Sequence, residues 1–184
     1  ICVTAYFKKM KSKITSIVKN KCKKIKIILT DVDGVLTDGG RYYSEKGEIL
    51  KKFHVRDGMG VNILLRNGIK TIIVTKENSK ITKKWAKEMN ITKVISNSLV
   101  KEKELLKICK EFKVLKNEVA YIGDDVNDLE LLKKVGVSAV PNDANDMIKK
   151  HVDYICSKEG GKGAFREISD IILKEKFPEK KKIF

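Results

Sequence analysis

Two periodicities alternate along the chain. Short apolar runs rich in β-branched residues occur at 25–29, 69–75, 94–95, 119–122, 137–140 and 154–155, and each reads as a buried strand. Between them, apolar residues recur at helical spacing over 57–67, 79–89, 100–113, 126–134, 143–150 and 164–175. Asp57 and Ser79 stand where helix caps are expected, and Gly68 where a helix should stop. Ahead of the first strand, the spacing of Ile14, Ile17, Val18 and Cys22 predicts a short amphipathic helix within 10–22. Residues 41–54 alternate around Lys46-Gly47 and predict a β-hairpin. Strand and helix alternating from end to end implies β-α-β units, a parallel sheet and a doubly wound α/β fold.

Composition narrows the picture. With 184 residues the chain suits one domain. We divide it into a basic lead-in segment at 1–24, a domain at 25–175 and a basic tail at 176–184. No apolar run approaches the ~18 residues a membrane span needs. The basic start also lacks the apolar stretch and cleavage site of a signal peptide. The four cysteines form no Cys-x-x-Cys pair, which argues against a zinc site or a disulfide framework. Cys109 and Cys156 read as buried thiols of a reducing compartment, and the expected location is cytoplasmic. The net charge of +16 raises a nucleic-acid reading, but only four of the 40 basic residues are arginine, the usual reader of bases and phosphates. The lysines are spread along the chain, so a solvated basic surface is the simpler reading, with neither nucleic acid nor membrane as partner.

Ligands of open parallel sheets bind beyond the carboxyl ends of the strands. Here those ends carry Asp31 and Asp33, then Thr75, then Asp124, Asp125 and Asp128, while Lys101 opens a helix. Each alone has an ordinary meaning: Asp-x-Asp is a common turn, Thr75 a strand end, and Lys101 one lysine among many. The order and placement together carry the argument. Converging carboxylates do not all stay ionised without a cation, and an oxygen-only donor set favours Mg²⁺. A phosphate would supply the anion that Thr75, Lys101 and such a metal require.

That order resembles the four motifs of the haloacid dehalogenase superfamily: DVDGVLTDG, VTKENS, Lys101 and YIGDDVNDLELL. It is most similar to the small capless phosphatases of sugar-acid phosphates. These act on 3-deoxy-D-manno-octulosonate 8-phosphate or on nonulosonate 9-phosphates. KFHVRDGMG and EGGKGAFRE match as well, and the resemblance spans residues 23–175. It implies a Rossmann-like fold with a hairpin flap and no cap domain, and the spacing agrees, because no gap between motifs could hold one. It also implies roles. Asp31 would be the nucleophile that forms an aspartyl-phosphate, and Asp33 the general acid and base. Asp31, the Asp33 carbonyl and Asp124 would hold Mg²⁺. Asp125 or Asp128 would act through water or orient Lys101. Thr75 would bind the phosphoryl group, and Lys101 would offset charge between it and Asp31. A homotetramer with its hairpins gathered at the centre is implied too.

The chain departs from the octulosonate enzymes at Thr75-Lys76-Glu77, where those usually read Thr-Gly-Arg. Glu77 can accept hydrogen bonds from sugar hydroxyls, which leans the reading toward a nine-carbon substrate. Arg56 is a candidate partner of the substrate carboxylate, and Gly160–Arg166 a candidate anion-binding stretch ahead of the last helix. Trp85, His54 and His151 read as structural. Two other classes compete: a non-catalytic domain of the same fold serving an acylneuraminate cytidylyltransferase, and a basic nucleic-acid binder.

Overall fold

A computed structural model describes residues 14–179. Its six-stranded sheet is parallel throughout and consists of β1 (Ile27–Thr30), β4 (Lys70–Val74), β5 (Lys93–Ile95), β6 (Val119–Ile122), β7 (Val137–Val140) and β8 (Tyr154–Ile155). The order β5-β4-β1-β6-β7-β8 puts the first strand inside and reverses direction beside it. A separate antiparallel ribbon, β2 (Tyr42–Ser44) with β3 (Gly47–Leu50), is the expected hairpin.

The strand period sorts the core into two layers. On β1, Ile28 faces one layer, while Ile27 and Leu29 face the other. The first layer holds α1 (Ser16–Cys22), α2 (Val55–Arg66) and α7 (Ala164–Lys176); the second holds α4 (Lys101–Phe112), α5 (Leu129–Leu132) and α6 (Asp146–Lys149). The remaining helix, α3 (Lys80–Glu88), contributes Ala86 to the first layer. The sheet is therefore covered on both faces, which is why its strands read as unbroken apolar runs. Val18 and Cys22 of α1 are buried in the same core as α7. Residues 10–13 of the expected lead-in helix lie outside the described residues. Among the described residues no helix is long and apolar enough to cross a membrane.

Some local expectations change. The helix expected over 126–134 divides into a 3-10 turn at Val126–Asp128 and the short α5, because Asp128 turns inward to serve the site. Asp57 does not cap its own helix. His54 does, accepting from the Arg56 N–H at 3.3 Å, while Asp57 is fully buried inside α2 and accepts from the Arg166 N–H of α7 at 2.8 Å. Trp85 stacks on Phe53 at 4.4 Å as a packing residue. Cys22, Cys109 and Cys156 are free thiols; Cys22 and Cys156 are buried, Cys109 only partly.

Candidate active site

Parallel register brings three strand ends to one edge. Thr30 lies level with Ile73 and Ile122, and the Asp31 N–H donates to the Ile122 carbonyl at 3.0 Å. Asp31, Thr75 and Asp124, each just past a strand, thus converge. They line a cleft of about 490 Å³ with Asp33, Gly34, Arg41, Glu77 and Asp125. Gly34 is a glycine for a reason beyond its φ of +84°. A Cβ there would stand 2.0 Å from an Asp124 carboxylate oxygen. Closing the Asp31 loop onto Asp124 requires the missing side chain.

Behind Asp31 lies a buried clamp. Lys101 Nζ meets Asp31 Oδ2 at 2.7 Å and Asp128 Oδ1 at 2.6 Å, with both lysine and aspartates almost solvent-free. Tyr121 donates its O–H to the same Asp128 oxygen at 2.5 Å. Asp128 Oδ2 accepts the N–H groups of Asp124 at 2.9 Å and Asp125 at 3.3 Å. Asp128 is therefore spent on orienting Lys101 and the Asp124 loop. Asp125 lies at the cleft and accepts from Asn145 Nδ2 at 3.1 Å. Burial works against the Lys101 ammonium, but Asp31 and Asp128 outweigh it and hold its pKa above the ordinary value. Nothing in the local pattern marked Tyr121, which sits inside an apolar strand.

Asp33 is held by the flap. Lys51, at the foot of β3, pairs with Asp33 Oδ1, and Arg41 pairs with Asp33 Oδ2 at 3.1 Å. Arg41 also reaches Glu77 at 3.4 Å across the cleft mouth. Both cations escaped sequence reasoning; the available signal was Arg41, a rare arginine directly after the Asp-Gly-Gly turn. Thr75 Oγ1 accepts from the Glu77 N–H at 3.2 Å, which leaves its own O–H free to point at an anion.

In the single chain the Gly160–Arg166 stretch does not line this cleft, and neither does Arg56. It is exposed and lines another of about 500 Å³ with Lys158, Lys162 and Arg166. The reason is its neighbour: Asp57 is pinned inward by α7, which leaves Arg56 on the outer side of the first turn. Likewise Gly160 and Gly161 act as a buttress. A Cβ on Gly160 would come within 2.0 Å of the Gly34 carbonyl oxygen, and the Gly161 N–H donates to the Val35 carbonyl at 2.9 Å.

The donor set fits a divalent cation. Asp31, Asp124 and Asp128 each offer an oxygen within 4.8 Å of the others. Asp128 is fully buried behind Asp31 and does not line the cleft, so Asp31 and Asp124 are the carboxylates that face a cation there. The electrostatics agree. Burial, then the charges of Asp31 and Asp128, push the Asp124 carboxyl up to about 8, and burial pushes Asp31 up to about 6. Carboxylates so raised are short of positive charge.

Residues 67–168 match the family model of haloacid dehalogenase-like hydrolases. The chain is 40% identical over 155 residues to the 3-deoxy-D-manno-octulosonate 8-phosphate phosphatase of Haemophilus influenzae, covering 84% of this chain and 86% of that one. It is 36% identical to the enzyme of the same name from Escherichia coli K12, covering 83% and 81%. The cobalt-bound Haemophilus influenzae phosphatase superposes with a TM-score of 0.83, covering 85% of this chain and 91% of that one. The Moraxella catarrhalis phosphatase, solved with magnesium, phosphate and a KDO molecule, is 35% identical with a TM-score of 0.83, covering 86% and 91%.

Proposed function

The chain belongs to the haloacid dehalogenase-like hydrolase family, and from that premise we propose that it is a Mg²⁺-dependent phosphatase of 3-deoxy-D-manno-octulosonate 8-phosphate. The observation that carries this reading is the Asp31–Lys101–Asp128 clamp, which opens onto the same cleft as Asp33, Thr75 and Asp124. A non-catalytic domain has no use for a buried, fully paired lysine behind a cleft-lining carboxylate. The eight-carbon substrate is supported by the names of the relatives. A nine-carbon acid is the second reading, resting on Glu77 at the cleft; its pairing with Arg41 satisfies that carboxylate without a sugar hydroxyl.

In the proposed reaction an Asp31 oxygen attacks phosphorus while the bond to the sugar oxygen breaks. Asp33 donates a proton to the departing alkoxide. Water then attacks the aspartyl-phosphate and gives a proton back to Asp33, which releases inorganic phosphate and restores both carboxyls. Thr75 donates its hydroxyl hydrogen to a phosphoryl oxygen. Lys101 balances charge on Asp31, and because it is dry its field is little screened. Mg²⁺ held by Asp31, Asp124 and the Asp33 carbonyl would offset phosphoryl charge in this anion-rich cleft.

The assembly is proposed to be a homotetramer in the cytoplasm. Tyr42, Tyr43, Ile49 and Leu50 of the flap are all exposed in the single chain, which supports association through the hairpins. The test of function is phosphate release across a panel of phosphorylated sugar acids, with and without Mg²⁺. The octulosonate phosphate should be hydrolysed fastest, only with metal, and Asp31→Asn should abolish release. Release that is independent of metal, or that persists in Asp31→Asn, would overturn the reading.

A further inference from the structure

The flap supplies a buried ion chain. Most lysines here are exposed, yet the Lys51 side chain is fully buried. Its ammonium contacts Asp33 Oδ1 and, at 3.2 Å, Glu48 Oε1. The other Glu48 oxygen accepts the Ser79 hydroxyl at 2.6 Å, and Ser79 caps α3 by accepting the Thr82 N–H. A line of hydrogen bonds therefore runs from Asp33 through the flap to the helix that follows the Thr75 loop. A buried ammonium is tolerated only when such partners surround it, and partners held this way are rigid.

The two oxygens of Asp33 are consequently unequal. Oδ1 is tied to Lys51, with the Thr37 hydroxyl at 3.4 Å. Oδ2 takes Arg41, whose side chain is 30% exposed and lines the cleft. An anionic substrate can draw Arg41 away, but no ligand can reach Lys51. We propose that Lys51 is a positioning residue that fixes Asp33 by Oδ1, so that Oδ2 is the oxygen that carries the proton to and from the reacting oxygens. This rests on Asp33 being the acid and base of the reaction proposed above. Lys51 keeps its protons throughout: the proton on Oδ2 moves to the leaving alkoxide, and the attacking water returns one to Oδ2.

The proposal distinguishes substrates by leaving group. An alkoxide needs the proton, whereas p-nitrophenolate departs without one. In Lys51→Met, kcat for octulosonate 8-phosphate should fall about 100-fold with KM within roughly threefold, while the p-nitrophenolate burst from p-nitrophenyl phosphate stays within roughly threefold. Lys51→Gln keeps an N–H donor at nearly the same reach, and should show a smaller alkyl-selective loss with a melting temperature near wild type. Equal losses on both substrates, or no loss on either, would overturn the inference. Asp33→Asn separates the two failures. If it shows no leaving-group dependence, the acid–base reading falls; if it does and the Lys51 variants do not, only the role of Lys51 falls.

Discussion

Asp124 is the residue whose chemistry depends most on its surroundings. Its carboxyl is raised to about 8, first by burial and then by the neighbouring Asp31 and Asp128 charges. In the metal-free protein the folded state therefore binds more protons than the unfolded chain between about pH 4 and pH 8. Metal-free stability should fall as pH rises through that window, and a divalent cation should restore it. The cation must displace the proton, so Mg²⁺ affinity should rise with pH, by up to about tenfold per unit below pH 8. Calorimetric titration in two buffers of different ionisation enthalpy would report both the affinity and the proton released. An affinity that does not change between pH 6.5 and pH 8.5 would show that Asp124 is not a ligand. Asp31, Asp33, Asp124 and Thr75 were legible in the sequence because each sits at a strand end, and strand ends follow from hydrophobic period alone. Lys51 and Tyr121 were not, because only burial distinguishes them from other lysines and strand tyrosines.

At the scale of elements, the link between α2 and α7 sets the geometry behind the cleft. Asp57 accepts the Arg166 N–H at the start of α7, and its second oxygen is buried without a hydrogen-bond partner. Burial pushes its carboxyl up to about 6. The folded form therefore favours the protonated acid, and ionising it as pH rises from about 4 to 6 costs stability. Asp57→Asn keeps an acceptor for the helix and removes the charge. Its melting temperature should match wild type near pH 4 and exceed it above pH 6. Asp57→Ala also removes the charge but loses the cap, and should lie about 1–2 kcal/mol, or roughly 2–8 °C, below Asp57→Asn at any pH. Thermal melts across pH would test both; an Asn variant less stable than wild type at pH 7 would refute the assignment. The helices themselves were legible from their period, but the partner of this cap was not. Residues 57 and 166 are 109 positions apart in sequence and meet only because both helices cover one face of the sheet.

For the whole molecule, the flap is the element that the single chain leaves unfinished. A two-stranded ribbon is marginal in water by itself, and this one exposes Tyr42, Tyr43, Ile49 and Leu50. Roots at Lys51 and Arg41 hold it over the cleft, but among the described residues nothing covers its tip. Light scattering should report a tetramer at micromolar concentration. The double variant Tyr43→Ser/Ile49→Lys should give smaller species with reduced activity. A wild-type monomer with full activity would refute the assembly.

Period, turn residues and motif order were enough to determine the fold class, the edge of the sheet where chemistry occurs, and the acidic residues gathered there. These are local signals: a strand announces itself by its apolar run, and its end by the polar residue that follows. What lies beyond those ends was decided in three dimensions. Arg56 lines a second basic cleft of the single chain, Gly160 braces the Asp31 loop, and Asp33 is gripped by the flap's Lys51 and Arg41. The physical reason is the same in each case. A charge or a glycine acquires its role from whatever is packed against it, and only the folded chain determines what that is.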